Sequence, residues 1–191
     1  MRVRRPRLTI LGGPNGAGKT TLAKSSYADL LETDRFLNAD EFAAELSSDA
    51  PGDKAVPAGR RLIELRRLWI DEGYDFILES TLATKTLLRS VGIASANNYR
   101  ITLVFLLVSD PDICIQRVAN RVSQGGHYIP ADIIKRRHVR GLGLLPNYLA
   151  ATDDADLFDA NGQPELIARR RRNNWRLYDP EKVPSNLLSI V

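Results

Sequence analysis

A glycine-rich segment near the amino terminus has the spacing of a phosphate-binding loop. The pattern G-x-x-x-x-G-K-[ST] is matched by eight consecutive residues, Gly13-Pro14-Asn15-Gly16-Ala17-Gly18-Lys19-Thr20. In such a loop the glycines let backbone N–H groups turn towards a β-phosphate, and the start of the following helix adds its positive dipole end. We expect Lys19 to reach the β- and γ-phosphates of a nucleotide, Thr20 to ligate Mg²⁺, and Thr21 to complete the nucleotide contacts.

Two acidic residues follow apolar runs and could act on the group that receives a phosphate. Asp40 follows the run 36–39, and Glu79 follows the run 74–78. Ligands of a parallel sheet bind beyond the carboxyl ends of its strands, where the phosphate loop also lies. We expect Asp40 to accept a proton from an attacking hydroxyl, and Glu79 to orient the acceptor or a Mg²⁺-bound water. The alternatives are that Asp40 caps a helix and that Glu79 only holds the backbone at 80–81.

A third acid, Asp110, stands where many ATPases place an aspartate on the metal side of the site. Pro111 follows it, and a proline in the first helical turn favours Asp110 as the N-cap of the next helix. The Asn-Lys-x-Asp tetrapeptide with which GTPases read their base does not occur in the chain. This absence disfavours a GTPase. We expect ATP as the nucleotide, with GTP as the alternative that the sequence leaves open.

Arginines recur in two predicted helices that are joined by a glycine-containing segment. Arg117 and Arg121 are four residues apart and therefore share one face of a helix. This arrangement is typical of a lid, expected over about 111–145, that closes on a transferring phosphate and excludes water. His127 lies in the joining segment and is expected either to contact phosphate or to cap the loop. We expect at least one of these arginines to be catalytic: Arg117, Arg121, Arg136 and Arg137.

The elements that must position these residues alternate between short apolar runs and longer periodic segments. This pattern predicts an α/β three-layer sandwich with a mainly parallel sheet, because strands that are apolar on both faces must be covered on both sides. Strands are expected at about 8–12, 34–39, 74–80, 100–108 and 155–159. Helices are expected at about 18–31, 40–48, 57–72, 84–97, 111–123 and 130–150.

The carboxyl-terminal segment carries a basic strip, Arg169–Arg172, followed by Trp175 and Tyr178. The Asn173-Asn174 pair between two extended runs predicts the turn of a C-terminal β-hairpin, placed at about 155–179. Arginines and aromatic side chains can bind a nucleic acid, but strand alternation would divide these arginines between two faces. We favour an exposed edge hairpin whose charges oppose pairing with other sheets.

Length and composition bound the class of protein. The chain has 191 residues, of which 43% are hydrophobic and 26% charged, and arginine supplies most of its 27 basic side chains, for a net charge of +4. We expect a single domain over 1–191 with its core at about 7–160. The only cysteine, Cys114, is expected to be structural, and the longest apolar run, 101–108, has the length of a strand. These features predict a cytoplasmic protein without a membrane span.

Taken together, four segments resemble the zeta-toxin family of P-loop kinases, in its compact, chromosomally encoded branch, over about residues 7–160. The resemblance implies a nucleoside-kinase-like fold, ATP or GTP with Mg²⁺, an antitoxin partner, and transfer of phosphate to the sugar 3′-hydroxyl of UDP-N-acetylglucosamine. It assigns Asp40 as the base, Glu79 to the acceptor side, and Arg117 to the γ-phosphate. We also expect Thr81 on the acceptor side. The segments are 12–21, Asn38-Ala39-Asp40, Leu78-Glu79-Ser80-Thr81-Leu82 and Gly125-Gly126-His127-Tyr128-Ile129-Pro130.

One departure from this family concerns the lid. Zeta toxins carry a second lid arginine close to the segment that aligns with 127–130, where this chain has none. His127, or an arginine at 136–137, would then take that role. The leading hypothesis is a small-molecule kinase whose acceptor resembles a nucleotide sugar. The alternatives are a nucleotide or polynucleotide kinase, and an ATP-gated regulator that binds RNA or protein without phosphate transfer.

Overall fold

Seven strands form one sheet in the computed structural model, which describes residues 4–26, 35–38 and 55–191. The strands are β1 (Arg7–Gly12), β2 (Phe36–Asn38), β3 (Phe76–Ser80), β4 (Arg100–Leu107), β5 (Asp154–Asp159), β6 (Glu165–Arg171) and β7 (Asn174–Leu177). Their order is β2-β3-β1-β4-β5-β6-β7, and the first five are parallel, whereas β6 and β7 are antiparallel. The described helices are α1 (Lys19–Ser26), α2 (Ala55–Asp71), α3 (Lys85–Ala96), α4 (Pro111–Ser123) and α5 (Ala131–Ala150).

Apolar side chains cover both faces of this sheet. In the central strand β4, Leu103 and Phe105 face one cluster, whereas Val104 and Leu106 face the other. Helices α2, α3 and the carboxyl-terminal half of α5 pack in the first cluster, and α1 and α4 pack in the second. Strands buried on both faces read as continuous apolar runs, which is why the sequence located them. The predicted three-layer α/β sandwich is confirmed.

The ends of the helices differ from the sequence-based boundaries. The helix predicted at 18–31 is described as α1, from Lys19 to Ser26. Helix α2 begins at Ala55, two residues before the predicted start, because a proline is tolerated anywhere in the first helical turn. The helix predicted at 40–48, and Asp40 with it, lies outside the described residues.

Helix α5 packs tightly against the loop that follows β3. A Cβ placed at Gly141 would lie 2.5 Å from the backbone oxygen of Thr81, so only glycine permits this approach. Further along α5, the hydroxyl of Tyr148 donates to the backbone oxygen of Thr84 over 2.8 Å. These contacts fix α5 against the carboxyl end of β3. Within the described part of the chain, no helix is long and apolar enough to span a membrane.

The predicted C-terminal hairpin is formed by β6 and β7, but its turn is one residue earlier than expected. Arg171 pairs with Asn174 in the ladder, so the turn residues are Arg172 and Asn173 rather than Asn173 and Asn174. Both turn residues have positive φ, at 52° and 66°. Two-residue hairpin loops of this kind require positive φ at both central positions. Cross-strand pairing thus places an arginine in a backbone region that favours asparagine or glycine.

The expected edge hairpin is present, since β7 is the last strand of the sheet, but the basic strip lies mainly on β6 and not along that edge. Strand β6 lies between β5 and β7, and its arginines hold the hairpin to the rest of the sheet. Asp156 of β5 is 0% exposed and lies 2.8 Å from both Arg169 and Arg171. Arg170 is also buried and donates to the backbone oxygens of Leu149 and Thr152. These side chains are therefore structural, because buried charges need partners.

Candidate active site

The phosphate loop connects β1 to α1, and glycines shape it. Gly13, Gly16 and Gly18 have positive φ, of 144°, 78° and 89°. At Gly16 space is a second constraint, because a Cβ would lie 2.7 Å from the backbone oxygen of Cys114 in α4. The loop leads directly into α1 at Lys19. A glycine-rich turn that ends at a helix N-terminus is the backbone arrangement that binds phosphate groups.

The ammonium group of Lys19 is buried inside the curve of the loop. Its side chain donates to the backbone oxygens of Gly13 and Pro14 over 3.0 and 3.1 Å. Oε1 of Glu79 lies 3.8 Å from the same Nζ. A buried ammonium needs such partners, since an isolated charge in the interior is costly. Lys19 is thereby held at the centre of the loop, where the motif expects a phosphate.

Glu79 faces the loop from the neighbouring strand. Its Oε2 accepts a hydrogen bond from the Thr20 hydroxyl over 2.9 Å, and Glu79 is in register with Leu11 at the end of β1. The backbone after β3 is held by a different residue, since the Ser80 hydroxyl accepts from the N–H of Leu82 over 3.1 Å. The Glu79 carboxylate is therefore directed at Lys19 and Thr20 rather than at the loop backbone.

The hydroxyl of Thr20 and the carboxylate of Glu79 are suitable donors for Mg²⁺. This cation prefers oxygen ligands, and protein sites usually offer it one or two side chains while phosphates and waters complete the octahedron. The two oxygens lie 2.9 Å apart at the start of α1, next to the loop that would hold the phosphates. The residues present therefore fit the metal that the motif implies.

A cavity of about 540 Å³ lies over the phosphate loop, and we call it the loop cavity. Lys19 and Thr20 line one side, together with Thr21 and Glu79. The segment between α4 and α5, with the α4 arginines, lines the opposite side, and Asn38 at the end of β2 also contributes. The structure thus brings most of the predicted site residues to one cavity. The predicted residues on the lid side are Arg117, Arg121 and His127.

The two arginines of α4 both reach backbone carbonyl groups. The Arg117 guanidinium donates to the oxygens of Ala160 and Asn161, each over 2.8 Å, and so ties α4 to the turn after β5. Arg121 donates to the backbone oxygen of His127 over 3.1 Å, which folds the segment after α4 back on that helix. Both guanidinium groups remain at the wall of the loop cavity, where each could move onto a phosphate.

Asp110 caps α4 and does not face the loop cavity. Its side chain accepts from the N–H of Asp112 over 2.8 Å, and Pro111 is the first residue of the helix. The N-cap that the sequence predicts for Asp110 is confirmed. Cys114, one turn further along α4, is buried, and this burial raises the pKa of its thiol to about 11. A thiol with such a pKa is a poor nucleophile at neutral pH, as expected of a structural cysteine.

The arginines of α5 line a second cavity, of about 360 Å³, which we call the arginine cavity. Arg136 and Arg137 therefore do not share the loop cavity with Arg117 and Arg121. Thr81, predicted on the acceptor side, also lines the arginine cavity. The two cavities meet at Arg137, whose Nη1 donates to Oδ1 of Asn15 in the phosphate loop over 3.3 Å.

The sequence reading missed Arg66, which also lines the arginine cavity. Arg66 belongs to α2, whose other arginines, such as Arg67, are exposed. A signal was present, because Arg66 stands four residues after Leu62 and four before Ile70, and residues four apart share a helix face. An arginine on the apolar stripe of a helix is a candidate for a buried functional group.

Comparison with known proteins identifies the family of this chain. The sequence model of the family described as Zeta toxin matches residues 1–181. The chain belongs to the zeta toxin family. This confirms the resemblance drawn from the sequence motifs. An uncharacterized protein of Haemophilus influenzae is 30% identical over 126 residues, which are 66% of this chain and 88% of that protein.

Two solved structures share the fold of this chain. A structure of the PezAT chromosomal toxin-antitoxin system of Streptococcus pneumoniae aligns with a TM-score of 0.64 and 19% identity, over 88% of this chain and 73% of that one. A chain of the AvrRxo1-ORF1:ORF2 structure with ATP aligns with a TM-score of 0.72 and 15% identity, over 93% of the present chain. The chain spans 62% of the length of that second structure. The P-loop kinase fold expected from the sequence is confirmed.

Proposed function

We propose that this protein is a phosphotransferase that moves the γ-phosphate of ATP to a hydroxyl group of a small molecule. The observation that carries the proposal is the loop cavity, in which Lys19 and the Thr20–Glu79 pair face Arg117 and Arg121. Positive groups on both sides of one cavity are what a transferring phosphoryl group requires, since its catalysis is mostly positioning and charge stabilisation.

The loop residues would bind the donor and hold its phosphates in place. The backbone of Gly13–Gly18 would cradle the phosphates, and Lys19 would exchange its contacts with Gly13 and Pro14 for phosphate oxygens. Thr20 and Glu79 would hold Mg²⁺, which when bound neutralises charge on the β- and γ-phosphates. Arg117, released from the carbonyls of the turn after β5, would place its guanidinium on the γ-phosphate.

The acceptor would enter from the arginine cavity and present its hydroxyl to the loop cavity. Asp40 is proposed as the base that accepts the hydroxyl proton, because it follows β2 in the sequence. The family supports a nucleotide sugar such as UDP-N-acetylglucosamine as the acceptor. GTP as donor remains an alternative within this proposal, since the loop contacts described here involve phosphates rather than a base.

Transfer from γ-labelled ATP with Mg²⁺ tests the proposal. Wild type, Lys19→Ala and Asp40→Ala are each offered UDP-N-acetylglucosamine, other nucleotide sugars and oligonucleotides. Lys24→Ala, an exposed change in the same helix as Lys19, is the matched control and should retain full activity. A labelled sugar nucleotide made by wild type and control but not by the two site variants supports the proposal. Labelled oligonucleotide would assign a polynucleotide kinase instead, and ATP binding without any transfer would assign a regulator.

A protein partner and a cytoplasmic location are part of the same proposal. Of the structural neighbours named above, one is a structure of a toxin-antitoxin system, and the other contains AvrRxo1-ORF1 together with AvrRxo1-ORF2. A kinase that consumes a metabolite needed by the cell would deplete it unless transfer is inhibited. A partner that covers the loop cavity would inhibit transfer. Co-expression with the product of the adjacent gene should yield a complex with no transfer activity. A complex that keeps full activity would contradict this role.

A further inference from the structure

Arg66 is a buried arginine whose hydrogen-bond donors are only partly paired among the described residues. It is 4% exposed, and its Nε and Nη2 have no hydrogen-bond partner within the part of the chain that the structure describes. Arg170, also buried, is better paired: its Nη2 donates to two backbone oxygens and the Thr152 hydroxyl, and its Nε alone lacks a partner among the described residues. Burial also lowers the pKa of Arg66. A buried guanidinium with two unpaired nitrogens is costly to the fold, and an anionic ligand would pair them.

The surroundings of Arg66 define the charge of that ligand. Arg66 lines the arginine cavity together with Arg136 and Arg140 of α5. Hydroxyl groups of Ser80 and Thr84 line it as well, and no Asp or Glu does so among the described residues. Four arginines, Arg137 being the fourth, line this cavity without a described carboxylate. They make a site for an anion, since guanidinium pairs with phosphate and carboxylate in bidentate fashion.

The position of this cavity relates the anion to the phosphate acceptor. Ser80 and Thr81 follow Glu79 directly, and Glu79 lines the loop cavity. Arg137 lines the arginine cavity and bonds to Asn15 in the wall of the loop cavity. A molecule that filled the arginine cavity would therefore reach the transferring phosphate with its nearer end. Gly141 contributes by letting α5 approach Thr81 closely, which places the α5 arginines over the cavity.

We propose that Arg66, with Arg136 and Arg140 at the rim, binds an oxyanion of the acceptor, a phosphate or carboxylate group distant from the hydroxyl that is phosphorylated. That the anion belongs to the acceptor rests on the proposed function, whereas the anion site itself rests on Arg66 and its cavity. Arg66 is then a specificity-determining residue. An acceptor without such a group leaves the buried guanidinium unpaired and binds more weakly.

Binding of simple anions tests the site apart from catalysis. The loop is first saturated with Mg²⁺ and a non-hydrolysable ATP analogue, and inorganic phosphate and acetate are then titrated separately by calorimetry. Wild type should bind at least one of them, and Arg66→Met should weaken that binding by about tenfold or more, as expected for lost hydrogen bonds to a charged group. Arg67→Met, an exposed neighbour paired with Asp71, is the matched control and should bind as wild type does.

The two anions identify the source of the charge. Binding of phosphate alone assigns an acceptor that already carries phosphate, and binding of acetate alone assigns a carboxylated one. If neither anion binds wild type, or if Arg66→Met binds them as tightly as Arg67→Met, the proposal is overturned. Affinity for the ATP analogue, measured in the same samples, should be equal in all three proteins and reports that the loop is intact.

A thermal measurement separates this role from a merely structural one. Arg66→Met removes an unpaired buried charge, so the ligand-free variant should melt above wild type while losing the rise in Tm that the anion produces. A variant that melts well below wild type would make Arg66 a structural residue and contradict the inference. If anion binding depends on Arg66 but no acceptor is ever phosphorylated, the proposed function fails and the anion site stands.

Discussion

The hydroxyl of Thr20 donates to the carboxylate of Glu79 across 2.9 Å, and the other carboxylate oxygen lies 3.8 Å from the Lys19 ammonium. Thr20 comes from the helix after the phosphate loop, whereas Glu79 comes from β3, the strand next to β1. One carboxylate thus joins the two loop side chains that are proposed to bind phosphate and metal. Charge at position 79, and not only shape, should matter to activity.

Replacing Glu79 with Gln tests that point, because the amide keeps the size and one acceptor oxygen but loses the charge. We expect transfer activity to fall by about 10–100-fold, the usual cost of weakening a metal site through one of its carboxylates. Initial rates at increasing Mg²⁺ should show that more metal is needed for half-maximal activity. Glu64→Gln, an exposed change in α2, is the control, and an unchanged Mg²⁺ dependence in Glu79→Gln would remove Glu79 from the metal site.

Arg117 should matter both to catalysis and to stability. Its guanidinium holds the oxygens of Ala160 and Asn161 and lines the loop cavity. We expect Arg117→Ala to lower kcat by about 10³-fold or more, as for other arginines that stabilise a transferring phosphate, and to lower stability by about 1–3 kcal/mol, because those carbonyls lose their donor. Arg117→Lys should recover part of kcat because it keeps the charge.

The control for Arg117 is Gln116→Ala, an exposed change in the same helix. Rates and melting temperatures are measured for all three variants under identical conditions. A loss of stability without a loss of kcat in Arg117→Ala would limit Arg117 to holding the turn after β5. The same comparison on Arg121→Ala shows which of the two α4 arginines reaches the phosphate, since Arg121 holds only the backbone of His127.

Two glycines of α5, two residues apart, should respond to alanine in opposite directions. At Gly141 a Cβ would meet the backbone oxygen of Thr81 at 2.5 Å, whereas at Gly143 no neighbouring atom of the described residues lies within 4 Å. Gly141→Ala should destabilise the protein by about 1–3 kcal/mol through overpacking and weaken acceptor binding. Gly143→Ala should stabilise it by about 0.4–1 kcal/mol, because alanine favours the helix. Urea unfolding measures both, and equal effects would mean that α5 does not approach Thr81.

Local patterns predicted the parts of the site that depend on few residues. The phosphate loop depends on the spacing of Gly13, Gly18 and Lys19, and the sheet depends on apolar runs such as 101–108, so both could be read from the sequence. The N-cap at Asp110 was also predicted, because Asp-Pro is a local signal. These features involve residues that are neighbours in the chain.

The features that sequence reasoning missed depend on packing between distant elements. Arg66 is buried because α2 packs on the sheet, and charge alone would place it in solvent with Arg67. Arg169 and Arg171 of β6 are held by Asp156, a partner from another strand that no local pattern reveals. The hairpin turn was misplaced by one residue because ladder pairing, rather than turn preference, chose Arg172. Burial and register, more than residue type, decided each case.

Alkaline pH should destabilise the protein through buried groups whose pKa is raised, and Tyr99 and Cys114 are two of them. The hydroxyl of Tyr99 donates to the backbone oxygens of Trp69 and Tyr74, each over 2.8 Å. Burial, together with the negative charges of Asp75 and Asp71, raises the pKa of Tyr99 to about 12. Burial likewise raises the pKa of Cys114 to about 11. Both groups thus keep their protons in the folded protein at pH values where the unfolded chain loses them.

The sign of the effect follows from proton linkage. Between about pH 9 and 12 the folded state binds more protons than the unfolded state, so the free energy of unfolding falls as the pH rises, whereas below about pH 9 neither group changes it. Urea unfolding from pH 8 to 11.5 should show this decline, and Tyr99→Phe should make it shallower because one of the two groups is gone. Parallel declines in wild type and Tyr99→Phe would mean that Tyr99 ionises alike in both states, which its two hydrogen bonds to backbone oxygens oppose.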